Sequence, residues 1–241
     1  GVLIYSVYDM ANRLNHLIQY RYTMEIKQKE AQLRILYQQI NPHLLYNTLE
    51  SIYWKSSLEG HSEAAEMIKE LAKLMRIGLS RGRELITLRE EMEHASAYAR
   101  LQQKRYESGF RIHFRIESDT LDNLIPKITL QPLIENAIVH GVRNMGEDGE
   151  IVVSAEAADH KVIIRVEDNG YKAVDYAAID QMLNGENAAP PLGYGLRNVH
   201  ERIRLHFGAE YGLRFAPREQ GGTVVTITLP ECREEPPSYA G

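Results

Sequence analysis

Apolar residues recur every three or four positions along the first quarter of the chain. Residues 9–58 contain no glycine and a single proline, which predicts one long helix or two helices in line. The apolar positions form two successive seams, first at Leu14, Leu17, Met24, Ala31 and Ile35, then at Ile26, Leu33, Leu36 and Ile40. Polar residues interrupt the first seam, so we expect self-association as a coiled coil whose packing face shifts. A single helix packed on its own domain is the alternative.

A second amphipathic helix is predicted after Gly60, because glycine interrupts the helical pattern there. Its apolar stripe consists of Ala64, Met67, Ile68, Leu71, Leu74, Met75 and Leu79. Two helices joined by the short polar turn at 59–62 predict an antiparallel hairpin. Two such hairpins would bury both stripes in a four-helix bundle, so we expect a homodimer.

The rest of the chain mixes short β-branched runs with helical segments. The pattern predicts strands over 110–116, 151–153, 161–166 and 223–229, and helices over 88–107, 128–141 and 196–207. This order favours an α/β sandwich whose sheet is covered on one face, which puts the whole chain in the α+β class. The polar stretch 171–192 has at most one short helix around 178–183 and is expected to be a lid or an insertion.

Composition narrows the classes of function. The chain has 241 residues, 44% of them apolar and 25% charged, which fits a soluble protein of two domains. A net charge of -5 and a pI near 6.0 give no basic surface, so nucleic acid is not expected as a direct partner. The single cysteine, Cys232, excludes a disulfide or a thiolate metal cluster. The apolar run at 2–8 is far shorter than the about 20 residues that cross a bilayer.

The predicted helix at 128–141 places two polar side chains together. Asn136 and His140 are four residues apart, on a face that its apolar stripe leaves free. An asparagine oxygen is a suitable ligand for magnesium, which bridges protein and nucleotide phosphates. The alternative is a structural asparagine beside a surface histidine.

The predicted strand at 161–166 leads to a carboxylate that faces inward. Asp168 continues the buried face formed by Val162, Ile164 and Val166. A buried charge needs a hydrogen-bond donor, and the exocyclic amine of adenine is one candidate. An Asx turn at the end of the strand is the other.

A glycine-containing turn leads into the helix at 196–207. The run G-Y-G-L-R-N-V at 193–199 would let backbone N–H groups approach phosphate oxygens at a helix N-terminus. A flexible hinge is the alternative.

The order of these segments resembles the ATP-binding fold that histidine kinases share with DNA gyrase, a heat-shock chaperone and a mismatch-repair ATPase. The segments are E-N-x-x-x-H-G, D-N-G, G-Y-G-L and finally Gly221-Gly222-Thr223. The resemblance implies that ATP and Mg²⁺ are the cofactors, that Asn136 holds the metal, that Asp168 and Thr223 hold the base, and that Gly193 and Gly195 bind phosphates. The ATP-binding residues it implies are Glu135, Asn136, His140, Asp168, Gly170, Gly193, Gly195, Leu196 and Thr223.

Pro132 separates this chain from the ATP hydrolases of that superfamily. The hydrolases carry a water-activating glutamate one helical turn before the asparagine, and Pro132 occupies that position here. Proline cannot accept a proton, so an ATP-driven clamp would lack its base.

His43 is the candidate acceptor for a phosphoryl group. It follows Pro42, which removes a helical hydrogen bond and disfavours helical geometry at Asn41, so the helix is expected to bend there. A neutral imidazole has a lone pair with which to attack phosphorus. Asn47, one turn further on, could orient the imidazole or position a water; a structural hydrogen bond is the alternative.

The run Q-I-N-P-H-L-L-Y-N-T-L at 39–49 resembles the signature of the LytS/YesM-type sensor histidine kinases. Further matches lie at 88–91, 125–127 and 195–202. The resemblance implies that His43 is phosphorylated from ATP and passes the phosphoryl group to an aspartate on a response regulator. It also implies the cytoplasmic portion of a bacterial cell-membrane protein, with an upstream transmembrane sensor segment that this chain lacks.

The resemblance also divides the chain. We expect a membrane-proximal signalling helix at 1–40, a phosphoacceptor hairpin at 41–84, an ATP-binding domain at 85–230 with a lid at about 170–194, and a tail at 231–241. Where members of the family usually have a second glycine after D-N-G, this chain has Lys172. That departure keeps a second hypothesis open, a nonenzymatic scaffold or sensor dimer with impaired use of ATP.

Overall fold

The protein, represented by a computed structural model, is described over residues 42–78, 83–105, 109–184 and 194–234. It divides into two units, residues 1–48 and residues 49–241. The helices are α1 (Pro42–Leu58), α2 (Ser62–Gly78), α3 (Leu88–Arg105), α4 (Leu130–Asn136), α5 (Tyr176–Asn184) and α6 (Tyr194–Phe207). The strands are β1 (Leu85–Thr87), β2 (Arg111–Ile116), β3 (Leu124–Pro126), β4 (Glu150–Ala158), β5 (Lys161–Asp168), β6 (Gly212–Pro217) and β7 (Thr223–Pro230). Among the described residues, no helix is both long and apolar enough to cross a membrane.

The predicted break between the first two helices is found at Gly60. Helix α1 ends at Leu58, and Gly60 has a φ of +80°, a left-handed geometry that glycine adopts without steric cost. Pro42 is the first described residue of α1. The coiled coil and the bend at Asn41 lie outside the described residues.

Helix α2 packs against α3 through ion pairs along its length. Glu70 accepts a hydrogen bond of 2.8 Å from Arg100, and Glu66 accepts one of 2.8 Å from Lys104. The apolar stripe predicted for α2 nevertheless remains partly uncovered, since Met67 is 39% exposed. Among the described side chains of α1, large apolar ones are exposed as well at Ile52, Trp54 and Leu58. These two helices therefore present apolar surface that the described residues of one chain do not bury.

A five-stranded mixed sheet forms the centre of the second unit, with the strand order β2-β4-β5-β7-β6. Strands β2 and β4 run parallel, and the other neighbours are antiparallel. Burial alternates along β5, where Val162, Ile164 and Val166 are buried and the intervening residues are only partly buried. The predicted inward face of this strand is confirmed.

The helices cover the buried face of the sheet. A π-helical segment, Ala137–Val142, continues α4 and packs on β4 and β5, while α6 packs on β6 and β7. Helix α5 packs on β6. The predicted class, an α+β fold with a sheet covered on one face, is confirmed.

Three strands escaped the sequence prediction. Strands β1 and β3 pair antiparallel in a separate two-stranded sheet, and each has only three residues, too few for an alternating pattern. Strand β6 begins with a glycine and ends with a proline, which suits an edge strand but hides it in the sequence.

Some predicted boundaries differ from the structure, and the strand predicted at 151–153 extends over the whole of β4, Glu150–Ala158. The helix predicted from residue 128 begins at Leu130, because Ile128 has a φ of +57° and belongs to the preceding turn. Residues 231–234 follow β7 in contact with the domain: Cys232 donates its N–H to the Asn123 side chain at 2.6 Å, and its carbonyl oxygen accepts the N–H of Leu124 at 2.7 Å.

Candidate functional site

A cavity of about 300 Å³ lies at the end of the central strands. Five of the residues predicted to bind ATP line it, and they come from three separate parts of the chain: Asn136, His140, Asp168, Gly170 and Thr223. Its volume lies at the lower end of the range of small-molecule pockets. The fold therefore assembles one concave site from segments about 30 to 55 residues apart in sequence.

The register of the sheet brings two of these residues together. Asp168 is the last residue of β5, Thr223 is the first residue of β7, and the two are paired directly across the antiparallel ladder. Both face the buried side, with 5% and 7% of their surface exposed. An acidic and a hydroxyl side chain thus share the floor of the cavity.

The Asp168 carboxylate is held by backbone N–H groups. Its Oδ1 accepts the N–H of Gly170 at 2.8 Å, which is the Asx turn considered from the sequence. Burial raises the pKa of Asp168, while hydrogen bonds from the Gly170 and Thr223 N–H groups and the charge of Arg218 oppose that rise. The turn leaves acceptor capacity on the carboxylate, because a carboxylate has about four lone-pair sites.

Glycines surround this carboxylate because side chains would not fit. A Cβ at Gly141 would lie 2.7 Å from the Asp168 carboxyl group, and one at Gly170 would lie 2.6 Å from Gly141 Cα. Gly222 has a φ of +102°, and a Cβ there would overlap the Asp168 carbonyl oxygen. The end of β5, the end of the π-helical segment and the start of β7 therefore meet in van der Waals contact.

Asn136 and His140 reach the cavity from the end of α4 and from the π-helical segment. Asn136 is half-buried, His140 is exposed, and both line the cavity as their spacing predicts. Single π-helical turns are uncommon and often occur at functional sites. The π-helical segment contains both His140 and Gly141, the residue against which Asp168 packs.

A buried glutamate that no local sequence pattern marks anchors the start of α4. Glu91, in α3, is 0% exposed and accepts the N–H groups of Ile128, Thr129 and Leu130 at 2.8, 2.7 and 2.7 Å. These donors precede or begin α4, so they have no partner within that helix. Burial raises the pKa of Glu91, and the three N–H donors and Arg202 oppose that rise. No local pattern reveals this contact, because its partners are 37 to 39 residues away.

Arg202 of α6 completes the anchor. Its Nη2 donates to the Ile128 carbonyl oxygen at 3.0 Å, and its charge acts on the Glu91 carboxylate. Helices α3 and α6 thereby fix the turn in which Ile128 adopts a left-handed φ, a strained geometry for a β-branched residue. The helix that carries Asn136 begins from this fixed turn.

Part of the predicted glycine turn lies in a helix. Helix α6 is described from Tyr194 to Phe207 and includes Gly195 and Leu196. The Leu196 side chain is 4% exposed and belongs to the core, which leaves its backbone for any contact with a ligand. Gly195 faces Pro132, since a Cβ there would lie 3.8 Å from Pro132 Cβ. Gly193 lies outside the described residues.

Three further predicted residues are not among those that line the cavity. Glu135 is exposed and does not line the cavity, although its neighbour Asn136 does. His43 belongs to α1, and its side chain is outside the described part of the structure. Asn47 is exposed on the same helix, four residues further on.

Apolar residues form much of the cavity wall, and sequence reasoning missed them. They are Ala173, Val174, Ala178, Ile179 and Phe215, contributed by the segment before α5, by α5 itself and by β6. Tyr176 supports the wall from behind, with its hydroxyl 3.2 Å from Thr223 Oγ1. The cavity has apolar walls and a carboxylate on its floor. A flat apolar group with one polar edge suits such a cavity.

Two family descriptions match this chain. Residues 31–110 match the family described as "Histidine kinase", and residues 125–233 match "Histidine kinase-, DNA gyrase B-, and HSP90-like ATPase". The first range includes His43 and Asn47. The second includes every residue that lines the cavity.

Curated relatives match most of the chain. It is 36% identical to the sensor histidine kinase YesM of Bacillus subtilis (strain 168) over 226 residues, 94% of this chain and 38% of that protein. It is 30% identical to the sensor histidine kinase BtsS of Escherichia coli (strain K12) over 204 residues, 83% of this chain and 34% of that protein. The sensor protein LytS of Staphylococcus saprophyticus is also 30% identical, over 84% of this chain and 34% of that protein. The chain thus spans about a third of the length of these relatives.

Among solved structures, this chain is similar to the catalytic domain of histidine kinase ThkA in a nucleotide-free form. Its TM-score to this chain is 0.47 at 20% identity, over 62% of this chain and 97% of that domain.

We expect Glu91→Ala to lower the free energy of unfolding by roughly 3–5 kcal/mol, because the change leaves three buried N–H groups without an acceptor. Chemical denaturation measures this loss. Glu93→Ala is the matched control on the same helix, where an exposed ion pair with Arg76 should contribute less than about 1 kcal/mol. Equal losses in the two variants would show that Glu91 does not anchor α4.

The raised pKa of Asp168 predicts a pH dependence of stability. A carboxyl group that binds its proton more tightly in the folded state stabilises the fold fully below the pKa of the unfolded chain, about 3.9. That contribution is lost as the pH rises through the higher folded pKa. The unfolding free energy of the wild type minus that of Asp168→Asn should therefore fall across this window. A difference that stays constant or rises would contradict the burial of this carboxylate.

Proposed function

Since the chain belongs to the LytS/YesM-type sensor histidine kinases, we propose that it binds ATP in the cavity and transfers the γ-phosphoryl group to His43. One observation carries the proposal: Asn136, Asp168 and Thr223 line the same cavity although they belong to different elements. The phosphoryl group then passes to an aspartate on a response regulator.

The adenine base of ATP is assigned to the floor of the cavity. Asp168 keeps one carboxylate oxygen for the Gly170 N–H and offers its remaining lone pairs to the exocyclic amine of adenine. Thr223, opposite Asp168 in the ladder, adds a hydroxyl at the edge of the base. The apolar walls formed by Ile179 and Phe215 suit the two faces of a flat ring.

The proposal assigns a magnesium ion to Asn136. Among the described residues, no group of three or more histidine, cysteine, aspartate or glutamate side chains could hold a metal alone. A hard oxygen ligand such as the Asn136 amide suits Mg²⁺, which takes its other ligands from phosphates and waters. The ion would neutralise charge on the phosphate chain during the transfer.

The phosphates would lie at the start of α6. The backbone N–H groups of Gly195 and Leu196 and the positive end of the helix dipole favour anions there. Catalysis by this arrangement comes from placement and charge, since phosphoryl transfer leaves the protein little covalent chemistry beyond the attack of His43.

ATP hydrolysis, the reaction of an ATP-driven clamp, is less favoured for this chain than phosphoryl transfer. Pro132 occupies the third position of α4, one turn before Asn136, where a water-activating glutamate would have to lie. Its side chain offers no proton acceptor.

Exposed apolar side chains on α1 and α2 support a homodimer. Trp54 is 58% exposed and Leu58 is 85% exposed, with Met67 and Leu71 partly exposed on the next helix. Apolar surface of this kind is buried when two helical pairs form a four-helix bundle. The response regulator and the upstream sensor segment remain proposals drawn from the family.

The assignment of His43 is tested by labelling with γ-labelled ATP and magnesium. The wild-type chain should acquire a phosphoryl group that is labile in acid and stable in alkali, and His43→Ala should acquire none. His61→Ala, an exposed histidine in the turn after α1, is the control and should be labelled like the wild type. Labelling of His43→Ala, or no labelling of the wild type, contradicts the proposed transfer.

The assignment of the adenine base is tested by replacing a hydrogen-bond acceptor of Asp168 with a donor. In Asp168→Asn the single side-chain oxygen is already used by the Gly170 N–H, so an NH₂ group would face the adenine amine. The ATP affinity should fall about 10- to 100-fold. The affinity for inosine triphosphate, whose base has a carbonyl oxygen in place of the adenine amine, should fall much less.

Binding of both nucleotides is measured by calorimetry, and Asp159→Asn in the exposed turn between β4 and β5 is the control. An unchanged ratio of the two affinities in Asp168→Asn would show that this carboxylate does not contact the base.

A further inference from the structure

Lys172 lies in the wall of the cavity, at the position where members of the family usually have glycine. We propose that its ammonium group binds a phosphate of the nucleotide, so that this chain carries an additional cationic ligand for a nucleoside di- or triphosphate. The inference rests on the proposed function, since it assigns a further substrate contact within the same site.

The path of the chain places Lys172 beside the segment that carries His140. Strand β5 ends at Asp168, and Gly170 packs directly against Gly141. Lys172 follows two residues later and is exposed, so its side chain begins at the rim of the cavity. A four-carbon stem lets an ammonium group reach into the cavity without a change in the backbone.

Among the described residues that line the cavity, Lys172 is the only lysine or arginine, and Asp168 and Asp175 are the only carboxylates. Both carboxylates have backbone donors: Gly170 donates to Asp168 at 2.8 Å, and Ala178 donates to Asp175 at 3.0 Å. No ion pair joins Lys172 to either of them in the described part of the chain.

The chemistry of the ligand decides what this ammonium group contacts. The adenine base and the ribose carry no charge at neutral pH, whereas the phosphate chain carries several negative charges. A lysine is a common phosphate ligand, acting as a point charge with three N–H donors. Lys172 therefore pairs with the phosphate chain. It supplies a positive charge, whereas the two carboxylates of the cavity wall are negative.

The proposal predicts a loss of affinity that depends on the number of phosphates. Calorimetric binding of adenosine, AMP, ADP and ATP should be compared in the wild type and Lys172→Met, with magnesium chelated. We expect Lys172→Met to weaken ATP and ADP binding about tenfold and adenosine binding less than about twofold. The loss should shrink at high ionic strength, because salt screens an exposed charge.

Two control variants separate charge from the fold. Lys172→Arg keeps the charge and should retain most of the ATP affinity. Lys161→Met removes an exposed lysine at the opposite end of β5 and should bind all four ligands like the wild type.

Three results would overturn the proposal, and they differ in what they imply. Equal losses for adenosine and ATP in Lys172→Met would place the lysine at the base or in the fold. Unchanged or higher ATP affinity in that variant would show that the lysine is idle or obstructs the site, while the proposed function stands. A wild-type chain that binds none of the four ligands would overturn the proposed function together with this inference.

Discussion

The close approach of three backbone segments around the Asp168 carboxylate is the constraint on which the site depends. Glycine at 141, 170 and 222 allows the end of the π-helical segment, the end of β5 and the start of β7 to meet where any side chain would collide. The contact fixes a charged group in a place from which water is largely excluded, and backbone N–H groups compensate part of that cost. A carboxylate held in this way is a rigid acceptor, which is what selective binding of an amine-bearing base requires.

A second buried carboxylate performs a different task. Glu91 receives three backbone N–H groups at the start of α4, so it determines where the helix carrying Asn136 begins. Arg202 holds the same turn from α6, the helix whose Gly195 and Leu196 N–H groups are proposed to face the phosphates. The magnesium ligand and the phosphate-facing helix are therefore tied to one buried polar cluster. Because α3 also packs against α2, that cluster lies within the same unit as the second helix of the predicted hairpin.

Local periodicity predicted the parts of the site that depend on neighbours in sequence. The alternation of apolar positions along β5 predicted that Asp168 faces inward. The four-residue spacing predicted that Asn136 and His140 lie on one side of a helix, and both line the cavity. Gly195 predicted a helix in its own region of the chain. The parts that depend on distant pairing could not be read in this way. Glu91 meets donors more than 35 residues away, and Phe215 reaches the cavity from an edge strand whose glycine and proline conceal it. The roles assigned to individual site residues remain predictions.

The central claim is that an adenine nucleotide lies in this cavity with its amine on Asp168 and its phosphates directed toward Asn136. A crystal structure of the chain with magnesium and a nonhydrolysable ATP analogue tests that claim most directly. The account predicts an amine nitrogen about 3 Å from an Asp168 carboxylate oxygen and a metal ion bound to the Asn136 side chain. An analogue bound elsewhere, or bound in the cavity with its base turned away from Asp168, would contradict it.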